Sequence, residues 1–363
     1  MGKRELLLVV IFVVLGTVLY QATAPPAPEG ARGFSLRDMF RAARGHMGDN
    51  DATRTVTKTA TLTLPEGIEV VVLDDFNGRV EVVGGDTPTI DATLEVTLHG
   101  LDEADLDQQA ADLALTLEAG GSRATVATSH RARGPRPDQT LRLEVPRALG
   151  LVLGGRGVAD IRAVASAEFD DYRGDLNVTD VAGPITGSHR EGRAEFGPGA
   201  TITLETQRGT LRITRPSAVT LDSQATDIEV LDATGPVSID QERCTTEVLG
   251  GTGAITVTGS GGTIKLRNVQ SEVDIDAERL TVSMTMAAPV RTRVVIEGDD
   301  VDVTLPPGGV EIAARIERGE LRVPAALTTT TEGDVRQATG ALNGGGPRID
   351  LEVVRGSLTI RTP

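Results

Sequence analysis

Between Gly155 and Arg361 the chain keeps returning to one short phrase: a Gly turn, an alternating apolar strand, another Gly turn. Examples are Tyr172-Arg-Gly-Asp-Leu-Asn-Val, Gln207-Arg-Gly-Thr-Leu-Arg-Ile, Gly251-Thr-Gly-Ala-Ile-Thr-Val and Val354-Arg-Gly-Ser-Leu-Thr-Ile. Where the pattern is cleanest the glycines recur every seventeen to eighteen residues. A fixed short period means stacked rungs, each too small to bury its apolar face alone. The expected fold is all-β: a β-solenoid, of single-stranded or parallel β-helix type, with one short surface helix. The expected turn residues are Asn77, Gly78, Gly174, Gly192, Gly209, Gly235, Gly253, Gly319 and Gly356.

The aromatic content fits this reading. There are six Phe, two Tyr and no Trp in 363 residues. Compact cores of this size use large rings to fill irregular volume, whereas a narrow uniform interior is filled by ladders of Val, Ile and Leu. Few rings also argue against ligand sites built on base or sugar stacking. The net charge of -16 argues against nucleic acid as a partner, because phosphate binding needs a basic face. Acidic strand exteriors suit solubility and discourage edge pairing, with divalent cations as the alternative. Cys244 is the single cysteine, which excludes an intramolecular disulfide. It reads as a buried, idle thiol.

Residues Leu6 to Tyr20 carry no charge, and the uncharged stretch runs on to Ala24 behind Lys3 and Arg4. As a helix, nineteen residues would span about 28 Å, close to the hydrocarbon thickness. An uncleaved transmembrane signal anchor over 1–24 is expected, with a cleaved signal ending at Ala24 as the alternative. Basic residues ahead of the span place the repeats outside the cytoplasmic membrane, although Arg32, Arg37, Arg41 and Arg44 follow it. Residues 25–52 read as a Pro-rich linker with a short basic amphipathic helix from Ser35 to Arg44.

The β-rich first section spans 53–150. Thr53 to Leu64 alternates as a strand. Ile68–Leu73 and Arg79–Val83 read as strands joined through Asp74-Asp-Phe-Asn-Gly, where Asn77-Gly78 suits a primed hairpin turn. Asp102 to Asp112 switches to helical spacing through Leu106, Ala110 and Leu113. The Gly-turn repeats occupy 151–363, with irregular rungs expected near Ala218–Asp227 and Val282–Val295.

Set in order, these motifs carry a resemblance. Phe76-Asn-Gly-Arg-Val-Glu-Val-Val-Gly is followed by Thr89-Ile-Asp-Ala-Thr-Leu, an acidic helix and Leu143-Glu-Val-Pro. The serial repeats come next, then Gly344-Gly-Gly-Pro-Arg-Ile-Asp-Leu-Glu-Val-Val-Arg-Gly-Ser-Leu-Thr-Ile. The set resembles the bacterial "putative adhesin" β-strand-repeat family, also called domain of unknown function 4097, over about residues 54–362. The resemblance implies a solenoid-like fold, often exported or membrane-tethered, without an established enzymatic activity.

Motifs for bond chemistry are missing. His46, His99, His130 and His189 lack metal-ligand spacing and read as surface residues. Gly250-Gly-Thr-Gly and Gly259-Ser-Gly-Gly lack the following helix that a phosphate loop needs. Adjacent carboxylates at Asp74/Asp75, Asp170/Asp171 and Asp299/Asp300 read as acidic turns. Neighbours on one strand point to opposite faces, whereas a glycosidase pair must converge on one cleft. The expectation is a membrane-tethered, non-catalytic binding or scaffold module of the cell envelope, with no catalytic, cofactor or metal residues. Its partners would be the membrane through Leu6 to Ala24 and an envelope protein or polymer, with self-association open. The alternatives are a polymer-forming scaffold and a polysaccharide-acting β-helix enzyme. A polar C-terminus ending in Pro363 suggests a blocked end to the stack.

Overall fold

The computed structural model describes residues 52–100, 102–129 and 139–363. Nearly all belong to one compact unit, Thr53–His99 with Glu103–Pro363; the other unit contributes Ala52, Gly100 and Asp102 to the described residues. The expected anchor at 1–24, and the expected linker except Ala52, lie outside the described residues. So do His46 and His130. Among the described residues no helix is long and apolar enough to cross a membrane.

The fold is all-β with one helix among the described residues. The first section holds β1 (Ala52–Thr63), β2 (Val70–Gly85), β3 (Thr89–Gly100), α1 (Glu103–Asp112), β4 (Leu115–Gly120), β5 (Arg123–Thr128) and β6 (Gln139–Pro146). Rungs follow through β7 (Gly150–Arg162), β8 (Ser166–Thr179), β9 (Pro184–Phe196), β10 (Thr201–Gln207) and β11 (Gly209–Thr214). They continue through β12 (Ala218–Gln224), β13 (Asp227–Leu231), β14 (Val237–Leu249), β15 (Ile255–Val269) and β16 (Val273–Met286). The last strands are β17 (Thr292–Glu297), β18 (Val301–Thr304), β19 (Val310–Arg322), β20 (Thr328–Glu332), β21 (Val335–Leu342) and β22 (Arg348–Arg361).

Successive rungs pair in parallel, one repeat apart. Thr201 lies beside Pro184, Ala218 beside Thr201, Val237 beside Val219 and Ile255 beside Val237. Because side chains alternate across a strand, this register stacks like on like. Ile185, Ile202, Val219, Val237, Ile255 and Val273 form one buried column. Each rung bends midway, so it contributes to two ladders. The first takes β10, β12 and the leading halves of β8, β9 and β14; the second takes β11, β13 and the trailing halves. Because β9 and β14 run through both ladders, β9, β10, β12, β14, β13 and β11 close a ring of six parallel strands, to which the others add.

Two columns of left-handed residues make the corners. Arg208, Ala225, Arg243 and Arg279 stand at the mid-rung bend with φ of 55°, 50°, 57° and 50°. Asp180, Arg215, Asp232 and Asn268 end the rungs with φ of 58°, 47°, 50° and 55°. The glycines divide the same way. Gly157, Gly174, Gly192 and Gly209 share the mid-rung column, whereas Gly235 and Gly253 belong to the corner between rungs. That division explains why the glycine period jumps between Gly209 and Gly235.

Three local expectations change. Asn77 and Gly78 are not a hairpin tip: β2 runs continuously through them, pairing with β7 on one side and with β5 and β6 on the other. The bend lies earlier, at Asp75 with φ of 50°. Gly78 is held by space, since a Cβ there would sit 2.6 Å from the Gln139 carbonyl oxygen. Residues 218–227 are regular; the extra residues fall between β16 and β17, where Val273 faces Thr292. Finally, the C-terminal strand does not close the stack. β22 is inserted between β17/β18 and β19, and β19 is covered by the antiparallel β21 and then β20. Pro363 therefore blocks no end.

Candidate interaction face

The interior holds the molecule's reactive side chains out of reach. Tyr172, His189, Thr206, Ser223 and Gln241 follow one another in register as a polar seam beside the mid-rung bend, all buried. His189 is 3% exposed, so it is a core residue and not a surface one. The reason is register: it stacks between Tyr172 and Thr206 on the inward face of the strand. Its Nε2 lies 2.7 Å from the Gly174 carbonyl oxygen. Burial holds the imidazole below its ordinary pKa. Tyr172, Phe169 and Phe196 fill the same volume, with ring centroids 6.4 and 6.3 Å apart. Burial pushes the Tyr172 phenol pKa up, and its hydroxyl has no hydrogen-bond partner among the described residues.

Further along, Thr206 donates to Ser223 at 2.9 Å and Thr246 donates to Gln241 Oε1 at 2.5 Å. Cys244 is buried; its thiol donates to the Ser223 carbonyl at 3.3 Å and accepts the Thr226 N–H at 3.4 Å. Burial raises its pKa, which disfavours the nucleophilic thiolate. His99 is exposed on β3. Among the described residues no group of three or more His, Cys, Asp or Glu is placed to hold a metal ion.

The carboxylate pairs are corner residues. Asp75 and Asp171 take left-handed φ of 50° and 53°. Asp300 accepts the Ser357 N–H and hydroxyl, both at 2.8 Å. Asp171 pairs with Arg190 and with Arg173. None of these pairs faces a common cleft.

The outer surface of the first ladder is organised differently. Register stacks Thr186, Thr203, Thr220 and Ser238 in one column. Two residues along each strand, Ser188, Glu205, Asp222 and Asp240 form a second. A third is tied by amides: Gln207 donates to Gln224 at 2.7 Å, and Gln224 donates to Glu242 at 2.7 Å. The first two columns, continued by Glu168 and Asp170, line a shallow groove of about 600 Å³. A second groove of about 280 Å³ runs beside the amide column.

Its charge is unbalanced. Parallel neighbours stand about 4.8 Å apart, and like charges side by side are destabilising. Yet Glu205, Asp222 and Asp240 occupy successive rungs, and neither they nor Glu168 and Asp170 form an ion pair among the described residues. Elsewhere such columns are neutralised. Farther along this ladder Arg293 bonds Asp274 at 2.8 Å and Asp276 at 3.1 Å, and Arg315 bonds Glu352 at 2.6 Å. On the second ladder Arg212 pairs with Glu229, and Arg267 with Glu247. The signal was present in the sequence as Glu205, Asp222 and Asp240 spaced by one repeat, but only the register shows that they share a column.

No family model matches the chain and no curated protein matches it, so the resemblance to domain of unknown function 4097 is not shown at the family level. Among solved structures it is similar to a "putative cell adhesion protein" from Clostridium sporogenes ATCC 15579, with 10% identity and a TM-score of 0.19, over 85% of this chain and all of that one. A likeness at that level carries nothing about the role of this chain.

Proposed function

We propose that this chain is a non-catalytic binding module of β-solenoid architecture. It is tethered to a membrane by Leu6 to Ala24, and it presents the outer face of its first ladder to a cationic partner in the cell envelope. The observation that carries the reading is the uncompensated column Glu205–Asp222–Asp240 on successive rungs, set against neutralised columns elsewhere. A fold that needed only solubility would scatter these charges; holding them in line keeps a repulsion that a cationic surface relieves. The threonine and amide columns beside them add donors and acceptors at the same rung spacing. The tether rests on the uncharged Leu6–Tyr20 stretch and the basic residues before it. The sealed positions of Cys244 and His189 support the non-catalytic part.

The test uses a fluorescent oligolysine peptide as probe, titrated at low salt against the full chain. Each exposed charge pair contributes ~0.2–1 kcal/mol, so replacing Glu205, Asp222 and Asp240 by Gln, Asn and Asn should weaken binding by about tenfold. Changing Glu195, Glu229 and Glu247 to Gln on the second ladder should change it little. Equal losses from both triples would reduce the interaction to net charge and overturn the reading.

A further inference from the structure

Among the described residues β1, β4, β20 and the end of β19 at 319–322 are each paired along one side alone. β1 is the longest of them, and it is built differently from β20. β20 has five residues, all exposed, between Pro324 and Gly333. Short polar strands bounded by Pro and Gly are how proteins blunt an edge. β1 has twelve residues without Pro or Gly, and β3 is its partner on one side. Among the described residues its other edge has no partner and offers a long row of backbone donors and acceptors.

β1 is also symmetric in content. Thr53, Thr55, Thr57, Thr59, Thr61 and Thr63 are all exposed on one face. Val56, Ala60 and Leu62 lie half-buried on the other with Arg54 and Lys58. An antiparallel copy keeps both faces aligned only if paired residues share parity. Centring the two-fold axis on Thr57 puts Thr55 opposite Thr59 and Thr53 opposite Thr61. The same register sets Lys58 against Val56 and Arg54 against Ala60. Every threonine from 53 to 61 then meets a threonine, and no like charges face each other. Centring on Lys58 would place two ammonium groups together. Arg54 is already held by Glu103 and Asp107 of α1, so its charge is turned toward its own helix.

We propose that the open edge of β1 pairs with β1 of a second copy, antiparallel about Thr57, closing a two-fold dimer. Closure consumes the edge, so the product is a dimer and not a filament.

The test is site-specific crosslinking of the full-length chain in detergent. Cys244 is the single native cysteine and is buried, so the unmodified chain is the blank. In the dimer the two residues at 57 face each other within disulfide reach, whereas the two at 53 lie about 27 Å apart. Thr57→Cys should yield covalent dimer on mild oxidation and Thr53→Cys should not. Thr57→Pro removes a ladder donor and should give a monomer on sedimentation with its circular dichroism retained. Failure of Thr57→Cys to crosslink would overturn the proposal, whether another segment covers the edge or nothing does. Equal crosslinking at both positions would do the same, as would concentration-dependent filaments.

Discussion

Replacing Gly174 by Ala is the sharpest test of how the rungs stack. Gly174 has φ of 122°, and a Cβ there would lie 2.0 Å from the Gly157 carbonyl oxygen and 3.0 Å from its carbon and nitrogen. All three are backbone atoms of the neighbouring rung, so no side chain can swing aside. The forbidden φ costs ~1–3 kcal/mol, and forcing the rungs apart adds ~1–3 kcal/mol of overpacking. The expected loss is therefore about 2–6 kcal/mol. Gly121 is the control, because it too has a positive φ, of 61°, but nothing within 4 Å of its Cβ position. Gly121→Ala should cost only the left-handed backbone, about 1–2 kcal/mol. Urea unfolding followed by far-ultraviolet circular dichroism separates the two. Equal losses would refute the close stacking on which the corner argument rests.

Other expectations follow from the interior and the face. Thr246→Val strands the Gln241 carbonyl oxygen and should cost about 1–3 kcal/mol, while adding Gln241→Met should recover most of it in the same unfolding assay. An unfolded His189 takes up its proton near pH 6.5, and the buried one only below that. The unfolded state thus binds more protons in that window, and stability is lost as the pH falls through it. His189→Gln should flatten that slope in pH-dependent melting. Cys244 should resist thiol reagents in the native protein at pH 8 and react as one thiol after denaturation; rapid native labelling would contradict its burial. Asp222→Asn should raise stability by ~0.2–1 kcal/mol at low salt, because it removes a like charge between Glu205 and Asp240.

Much of the fold was legible because side-chain parity and glycine spacing are local properties. The bounds of β1 and α1 follow from them within a residue or two. What failed depends on which strands meet. Asn77-Gly78 has the composition of a hairpin turn, yet β2 passes straight through, because β7 pairs with both residues in parallel and carries the strand on to Arg79, where β6 joins. His189 looks like any isolated surface histidine until the register sets it between Tyr172 and Thr206 under a glycine-lined bend. The insertion of β22 ahead of β19 leaves no trace in a one-dimensional repeat count. The acidic column is intermediate: its spacing is readable, but its lack of arginine partners among the described residues is a fact about neighbouring rungs. Arg293 neutralises its own column only because β17 follows β16 in register.

The most direct measurement is a hydrogen-exchange footprint of the full chain with and without oligolysine. Protection is expected in peptides covering 168–170, 186–190, 203–207, 220–224 and 238–242, the outer face of the first ladder across consecutive rungs. Protection confined to the second ladder, or spread evenly over both, would contradict the assignment of that face as the binding surface.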